Sequence, residues 1–246
     1  MKTVALGGGN ADENSAADRR IIELTGKDRP RFLFLPTASG DGGHYINALK
    51  RIYKRLGCVS DALCLVRAEY APEELENRVG AADIIYVGGG DPQRMMNVWE
   101  RAGMLPLLRK AAERGAVMCG ISAGAMCWFA QGYTDRDFYD PAITNPSYRL
   151  ISGLGFVPAV CCPHYDEPGR DSFDSACAAY YLPGIALEND VALVFDGEGY
   201  CVVKNDPAKK AWRFSIENGS VVKREFDCDF ILYDGAKNTR LFGENY

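Results

Sequence analysis

Through the first two-thirds of the chain, short apolar runs alternate with segments whose apolar residues recur every three or four positions. Thr3 to Leu6 is an apolar run that stops at Gly7-Gly8-Gly9-Asn10. Arg31 to Leu35 stops at Pro36-Thr37-Ala38-Ser39, and Asp83 to Val87 stops at Gly88-Gly89-Gly90-Asp91-Pro92. Each reads as a buried strand, and Val59 to Val66 as a further one interrupted by Asp61. Between them, Tyr45 to Leu56 has helical spacing at Ile46, Leu49, Ile52, Tyr53 and Leu56. Pro72 to Val79 starts helically, with Glu73 and Glu74 near the positive end of the helix dipole. Met95 to Leu108 is helical, with a bend expected near Gly103 and Pro106. Ala116 to Cys119 is another apolar run. It leads into Gly120-Ile121-Ser122-Ala123-Gly124, and Ala123 to Phe129 reads as a helix of small residues.

Strands separated by helices predict an α/β fold: an open, mostly parallel sheet with helices on both faces. Ligands bind such sheets at the carboxyl ends of the strands. The segments 7–10, 36–43, 88–92 and 120–124 all fall at that edge. In the last third the pattern changes. Val191 to Phe195 and Tyr200 to Val203 flank Asp196-Gly197-Glu198-Gly199, while Ala211 to Ile216 and Ser220 to Arg224 flank Asn218-Gly219. These are hairpin signals, and Phe230 to Tyr233 reads as one more strand. They predict an antiparallel C-terminal extension of the same sheet. With no linker or repeat in evidence, residues 1–246 read as a single domain.

Composition narrows the function classes. A net charge of −5 with no Lys/Arg cluster argues against a nucleic-acid partner. No apolar run reaches the ~18 residues a membrane helix needs, and the first strand turns to glycine too early for a signal peptide. The expectation is a cytoplasmic protein with no membrane partner. The nine cysteines lie mostly in apolar runs, as with Cys58, Cys64, Cys119, Cys127 and Cys201, and read as buried free thiols. Cys161 and Cys162 are adjacent and do not easily bridge each other. With no Cys-x-x-Cys pair and two histidines, neither a metal nor another cofactor is expected. Apolar residues of the C-terminal hairpins would form a homodimer surface or cover the sheet edge.

The sharpest chemical signal is Ser122. A strand, a glycine-flanked turn and a helix put its hydroxyl above the sheet edge, with the Ala123 N–H facing the space where an oxyanion would form. The competing reading is a tight turn with a capping serine. A nucleophilic serine needs a base. His164 follows Cys161-Cys162-Pro163 at a strand end and can return to the same edge; His44, in Gly42-Gly43-His44-Tyr45, reads as a loop residue near a helix start. Glu188 lies between two apolar stretches, an awkward place for an unpaired charge, and is the favoured third group. Asp135 and Asp137 are its alternatives, with loop or turn-capping roles as their bland reading. A second oxyanion donor is expected from the Gly89 or Gly90 N–H. A phosphate loop there is disfavoured, because no P-loop lysine follows.

Tyr86-Val87-Gly88-Gly89-Gly90-Asp91, Gly120-Ile121-Ser122-Ala123-Gly124-Ala125 and Pro163-His164-Tyr165, in this order, resemble the dipeptidase E family of serine peptidases, to which cyanophycinase is related. The resemblance is strongest over residues 80 to 195. It implies a fold like that of class I glutamine amidotransferases, with serine replacing their cysteine. It also implies Ser122 as nucleophile, His164 as base, Glu188 or an aspartate near Asp135 or Asp137 as the acid, and small peptides with N-terminal Asp as substrates. Arg136, Arg149 and Arg170 are candidates for binding the substrate aspartate. One departure is Asp91-Pro92, where the family commonly has Asn-Thr; an acid there would repel a substrate carboxylate. The rival functions are a serine esterase or amidase on the same scaffold, and a binding protein that retains the scaffold without catalysis.

Overall fold

The computed structural model describes residues 1–12, 15–226 and 231–232. In chain order the elements begin β1 (Lys2–Leu6), α1 (Ala16–Thr25), β2 (Arg31–Leu35), α2 (Gly43–Arg55), β3 (Val59–Ala62), α3 (Pro72–Ala81) and β4 (Ile84–Val87). They continue with α4 (Pro92–Arg101), α5 (Met104–Glu113), β5 (Val117–Ile121), α6 (Ala123–Met126), β6 (Phe129–Thr134), β7 (Arg149–Ser152) and β8 (Val157–Cys162). The chain closes with α7 (Ser172–Tyr180), β9 (Gly184–Leu187), β10 (Val191–Phe195), β11 (Gly199–Lys204), β12 (Ala211–Glu217), β13 (Ser220–Glu225) and β14 (Ile231–Leu232).

The strands form two sheets. The larger has the order β14-β11-β10-β1-β5-β4-β2-β3, in which β1, β5, β4, β2 and β3 run parallel. Alternation along its strands sends side chains to opposite faces. Ile84 and Tyr86 join Phe32, Phe34, Ile21 and Tyr53 on the side covered by α1 and α2. Ile85 and Val87 join Leu33, Leu35, Met95, Trp99 and Leu108 on the side covered by α3, α4 and α5. Local signals set the helix limits. Ser15 caps α1 by accepting from the Asp18 N–H, and Gly26, at φ 64, ends it. The expected bend near Gly103 is a full break, because Gly103 takes φ 69 between α4 and α5.

The expected antiparallel extension is half right. β10 and β11 extend the first sheet, but the hairpin β12–β13 joins a second sheet of order β13-β12-β9-β8-β6-β7. Period-2 patterning alone does not say which edge a hairpin will find. In this second sheet Cys161, Ile185 and Leu187 face the large shared core, whereas Val160, Cys162 and Ala186 face α7 through Phe173 and Cys177. Cys161 and Cys162 therefore point to opposite sides. Cys58, Cys64, Cys119, Cys127, Cys161, Cys162 and Cys177 are free. Burial pushes their thiols up, Cys58 to about 11 and Cys177 to about 12. The segment expected as a helix from Ala123 to Phe129 is one turn long, and Phe129 already begins β6. Of the strand expected over 230–233, Ile231 and Leu232 are strand and the two end positions lie outside the described residues. No helix among the described residues is long and apolar enough to cross a membrane.

One buried carboxylate carries a prediction. Asp18 is fully buried and accepts a 2.6 Å bond from the Tyr53 hydroxyl. Burial raises its carboxyl above the ordinary range by more than the bonds from Tyr53 and the Asp12 N–H lower it. The folded state thus holds this proton to higher pH than the unfolded chain does. Its stabilisation is full below about pH 4 and is lost as pH rises through the folded value. Asp18→Asn carries no charge there, so its Tm should improve relative to the wild-type Tm between about pH 4 and pH 7. A difference that stays constant across that range would contradict this account.

Candidate active site

Three consecutive carbonyls at the exit of β1 hold the site together. Leu6 O accepts from Ser122 N at 3.1 Å, Gly7 O from His164 N at 3.1 Å, and Gly8 O from Asp190 N at 3.2 Å. The strand ends that these bonds fix come from both sheets.

Ser122 sits at φ 58, ψ −117, a backbone region that L-residues rarely occupy. The flanking glycines make that turn possible. A Cβ on Gly120 would lie 2.4 Å from Gly124 O, and one on Gly124 would lie 2.1 Å from Val87 O. The short helix α6 is therefore packed directly onto the backbone of β4. Ser122 Oγ lies 2.9 Å from His164 Nε2. His164 is also at positive φ, 55°, after Pro163. His44, by contrast, lies in the first turn of α2 and has no contact with Ser122 among the described bonds.

The acids are placed differently from the expectation. Glu188 is not at the imidazole: its carboxylate accepts from the Lys210 N–H at 2.9 Å and lies 3.4 Å from the Trp212 indole nitrogen. It continues the face of Ala186, away from β1. Asp135 pairs with Arg170 at 2.6 Å, and buried Asp137 pairs with Arg149 and Arg136. Those arginines draw both aspartates off the histidine. The groups actually at His164 Nδ1 are Asn189 Oδ1 at 2.8 Å and Glu167 Oε1 at 3.2 Å. The sequence reading missed both. The signal was present in the strand alternation, since Asn189 shares the parity of inward-facing Leu187.

The glycine loop lies on the other side of the nucleophile. A Cβ on Gly89 would lie 3.2 Å from Ser122 Cβ, so this backbone runs beside the serine. Burial pushes the Tyr45 phenol up, and the backbone N–H of Gly89 works against it. Gly90, at φ 136, packs on Ala38 and lines the cavity above the serine. Ala123 N is in the first turn of α6, where no residue of the helix accepts its proton.

That cavity is open and holds about 720 Å³. Ser122, His164, Gly90, Arg94, Arg136 and Arg170 are among its lining residues. Arg170 is only 3% exposed and committed to Asp135 and Tyr133 O. Arg136 is shared between Asp91 at 3.5 Å and Asp140 at 3.4 Å. Arg149 does not line the cavity. Arg94, not anticipated from the sequence, faces it with no ion pair recorded among the described residues. Asp91 is the N-cap of α4 and accepts from the N–H groups of Gln93 and Arg94, with Pro92 at the first helical position. Asp91 itself lines the cavity, with its charge facing the helix end and Arg136. Among the described residues, no three His, Cys, Asp or Glu side chains are grouped as metal ligands would be.

Comparison with known proteins adds ancestry to this geometry. The family model described as peptidase family S51 matches residues 3–203. The chain is 34% identical over 227 residues to a Bacillus subtilis (strain 168) protein named Uncharacterized peptidase YgaJ, covering 89% of this chain and 94% of that one. It is 30% identical over 142 residues to Peptidase E of Streptomyces coelicolor, covering 58% of this chain and 54% of that one. A solved peptidase from an acI-B1 Actinobacterium superposes with a TM-score of 0.67 at 21% identity, over 94% of this chain and 96% of the other, and so shares the fold.

Proposed function

We propose that this chain, which belongs to peptidase family S51, is a serine-type dipeptidase acting on peptides with an N-terminal Asp. The observation that carries the reading is the 2.9 Å approach of His164 Nε2 to the hydroxyl of a serine held on a strained turn. Similarity to a protein named Peptidase E supports it.

In this reading Ser122 Oγ attacks the carbonyl carbon of the scissile bond while its proton passes to His164 Nε2. The tetrahedral oxyanion is held by the N–H groups of Ala123 and Gly90. Of the two glycines first considered, Gly90 is preferred because it lines the cavity with Ser122 and His164. Collapse breaks the C–N bond, and the departing amine takes the proton from His164. Water then gives a proton to His164 and its oxygen to the acyl carbon, releasing the acid and restoring Ser122. Arg94 is the guanidinium available to a substrate carboxylate, since Arg136 and Arg170 are already paired.

The test is turnover of Asp-X, Glu-X and neutral dipeptides beside simple p-nitrophenyl esters, with Ser122→Ala as control. Arg94→Gln is expected to raise KM for Asp-X by about 10- to 100-fold, the worth of a charge-assisted hydrogen bond, with little change on neutral substrates. Turnover of esters alone would favour an esterase. No turnover by folded wild type would return the reading to a binding protein.

A further inference from the structure

The amide of Asn189 is fixed at both ends. Its Nδ2 donates to Asp166 Oδ1 at 3.1 Å and to Glu167 Oε1 at 3.2 Å. Its backbone N–H donates to the same Asp166 oxygen at 2.9 Å. Asp166 is in turn held by Lys209 Nζ at 2.6 Å. Burial alone would raise the Asp166 carboxyl, but the Lys209 ammonium and the Asn189 N–H outweigh it and hold it below the ordinary range. An ionised carboxylate only accepts hydrogen bonds. With two carboxylates on the NH2 side, the oxygen side of Asn189 must face the ring.

An amide oxygen also only accepts, so the ring nitrogen that meets it carries the proton. Placing the proton on Nδ1 leaves the lone pair on Nε2, which is the atom 2.9 Å from Ser122 Oγ. An asparagine is ordinarily a poor third member of such a triad. Its NH2 can turn to the ring, which selects the wrong tautomer and costs on the order of 10⁴ in turnover. Here that rotation would set the amide oxygen against the Asp166 and Glu167 carboxylates.

Resting on the serine-peptidase reading, we infer that Asn189 is the positioning residue of the Ser122–His164 pair: Asp166 acts through its amide, and Glu167 Oε1 acts both through that amide and from 3.2 Å off Nδ1 itself, to hold the imidazole in the Nδ1–H form. The 2.8 Å bond to Nδ1 thus comes from an amide oxygen whose direction two carboxylates set. Lys209 completes the chain Ser122–His164–Asn189–Asp166–Lys209.

The test reads the tautomer directly. The protein has two histidines, so nitrogen-15 spectra of histidine-labelled protein contain two rings, and His44→Ala assigns them. At pH 9 wild type should show His164 protonated at Nδ1. The double variant Asp166→Asn/Glu167→Gln should gain the Nε2–H form and lose on the order of ten- to a hundredfold in kcat at unchanged KM. Adding Asn189→Asp to that background removes the NH2 group. It should restore Nδ1–H and recover at least tenfold in kcat, which a merely structural role would not do. An Nε2–H ring in wild type overturns the inference even if no variant folds. So does a double variant with the wild-type spectrum, or a triple variant without recovery. Because the tautomer is measured without substrate, a protein that shows the Nδ1–H ring but cleaves no peptide would count against the proposed activity and not against the relay.

Discussion

Ser122→Ala is expected to lower kcat by about 10⁴- to 10⁶-fold on any peptide the wild type cleaves, with KM and Tm nearly unchanged. The alanine retains the tight turn, because Gly120 and Gly124 set it and the Leu6 O bond to residue 122 uses the backbone N–H. What disappears is the bond-forming oxygen. His164→Ala should cost about as much, since without Nε2 the hydroxyl has no acceptor for its proton. The double variant should then be no worse than either alone, because the two side chains act as one unit. Kinetics on the three proteins, with a fluorophosphonate label to count reactive serines, check this. A Ser122→Ala protein with more than about a hundredth of wild-type kcat would place the nucleophile elsewhere.

Gly8→Ala should lower kcat by about 10²- to 10³-fold while leaving the protein folded. A Cβ at this position would stand 1.8 Å from Asn189 Oδ1 and 2.5 Å from His164 Nδ1. No real contact is that short, so the asparagine amide and the ring must both shift. A displacement of about 1 Å at a reacting group is enough for a hundredfold loss. The atoms that move are side-chain ends near the surface of the cavity, so the stability cost should stay near the ~1–3 kcal/mol of local overpacking. Steady-state kinetics beside a thermal melt separate the two effects. Equal losses in folded fraction and in rate would mean that Gly8 serves only the fold.

Much of this site was legible because glycines announce backbone that must come close to something. Gly120-Ile121-Ser122-Ala123-Gly124 and Gly88-Gly89-Gly90 lead straight to the nucleophile, and the strand ahead of His164 brings it to the same edge. Strand-helix alternation likewise predicts the parallel half of the larger sheet. Other features depend on tertiary choices that a local pattern does not encode. β8 takes one edge of β9, and Ala211 to Phe214 of β12 takes the other, which places the β12–β13 hairpin in the second sheet. Helix α1, strands β6 and β7 and helix α7 are absent from the sequence reading because their apolar residues are sparse or interrupted by polar ones. The side chain bonded to His164 Nδ1 lies a single residue from the expected Glu188. Glu188 has the expected chemistry, but a strand turns its side chains over at each step, and the face toward His164 belongs to Asn189. Arg94 was missed because it reads as an ordinary surface residue of an amphipathic helix, whereas the Asp91 cap aims the first turn of α4 into the cavity.

The bracket at the exit of β1 makes the active site a late event in the life of the chain. Leu6, Gly7 and Gly8 lie far upstream of the partners of their carbonyls, Ser122, His164 and Asp190. Pairings this distant in sequence are slow to form, because long loops must close before the contacts reward them. During refolding, secondary structure will return first and peptide cleavage last. A partly folded chain therefore lacks the assembled Ser122–His164 pair until both sheets have docked.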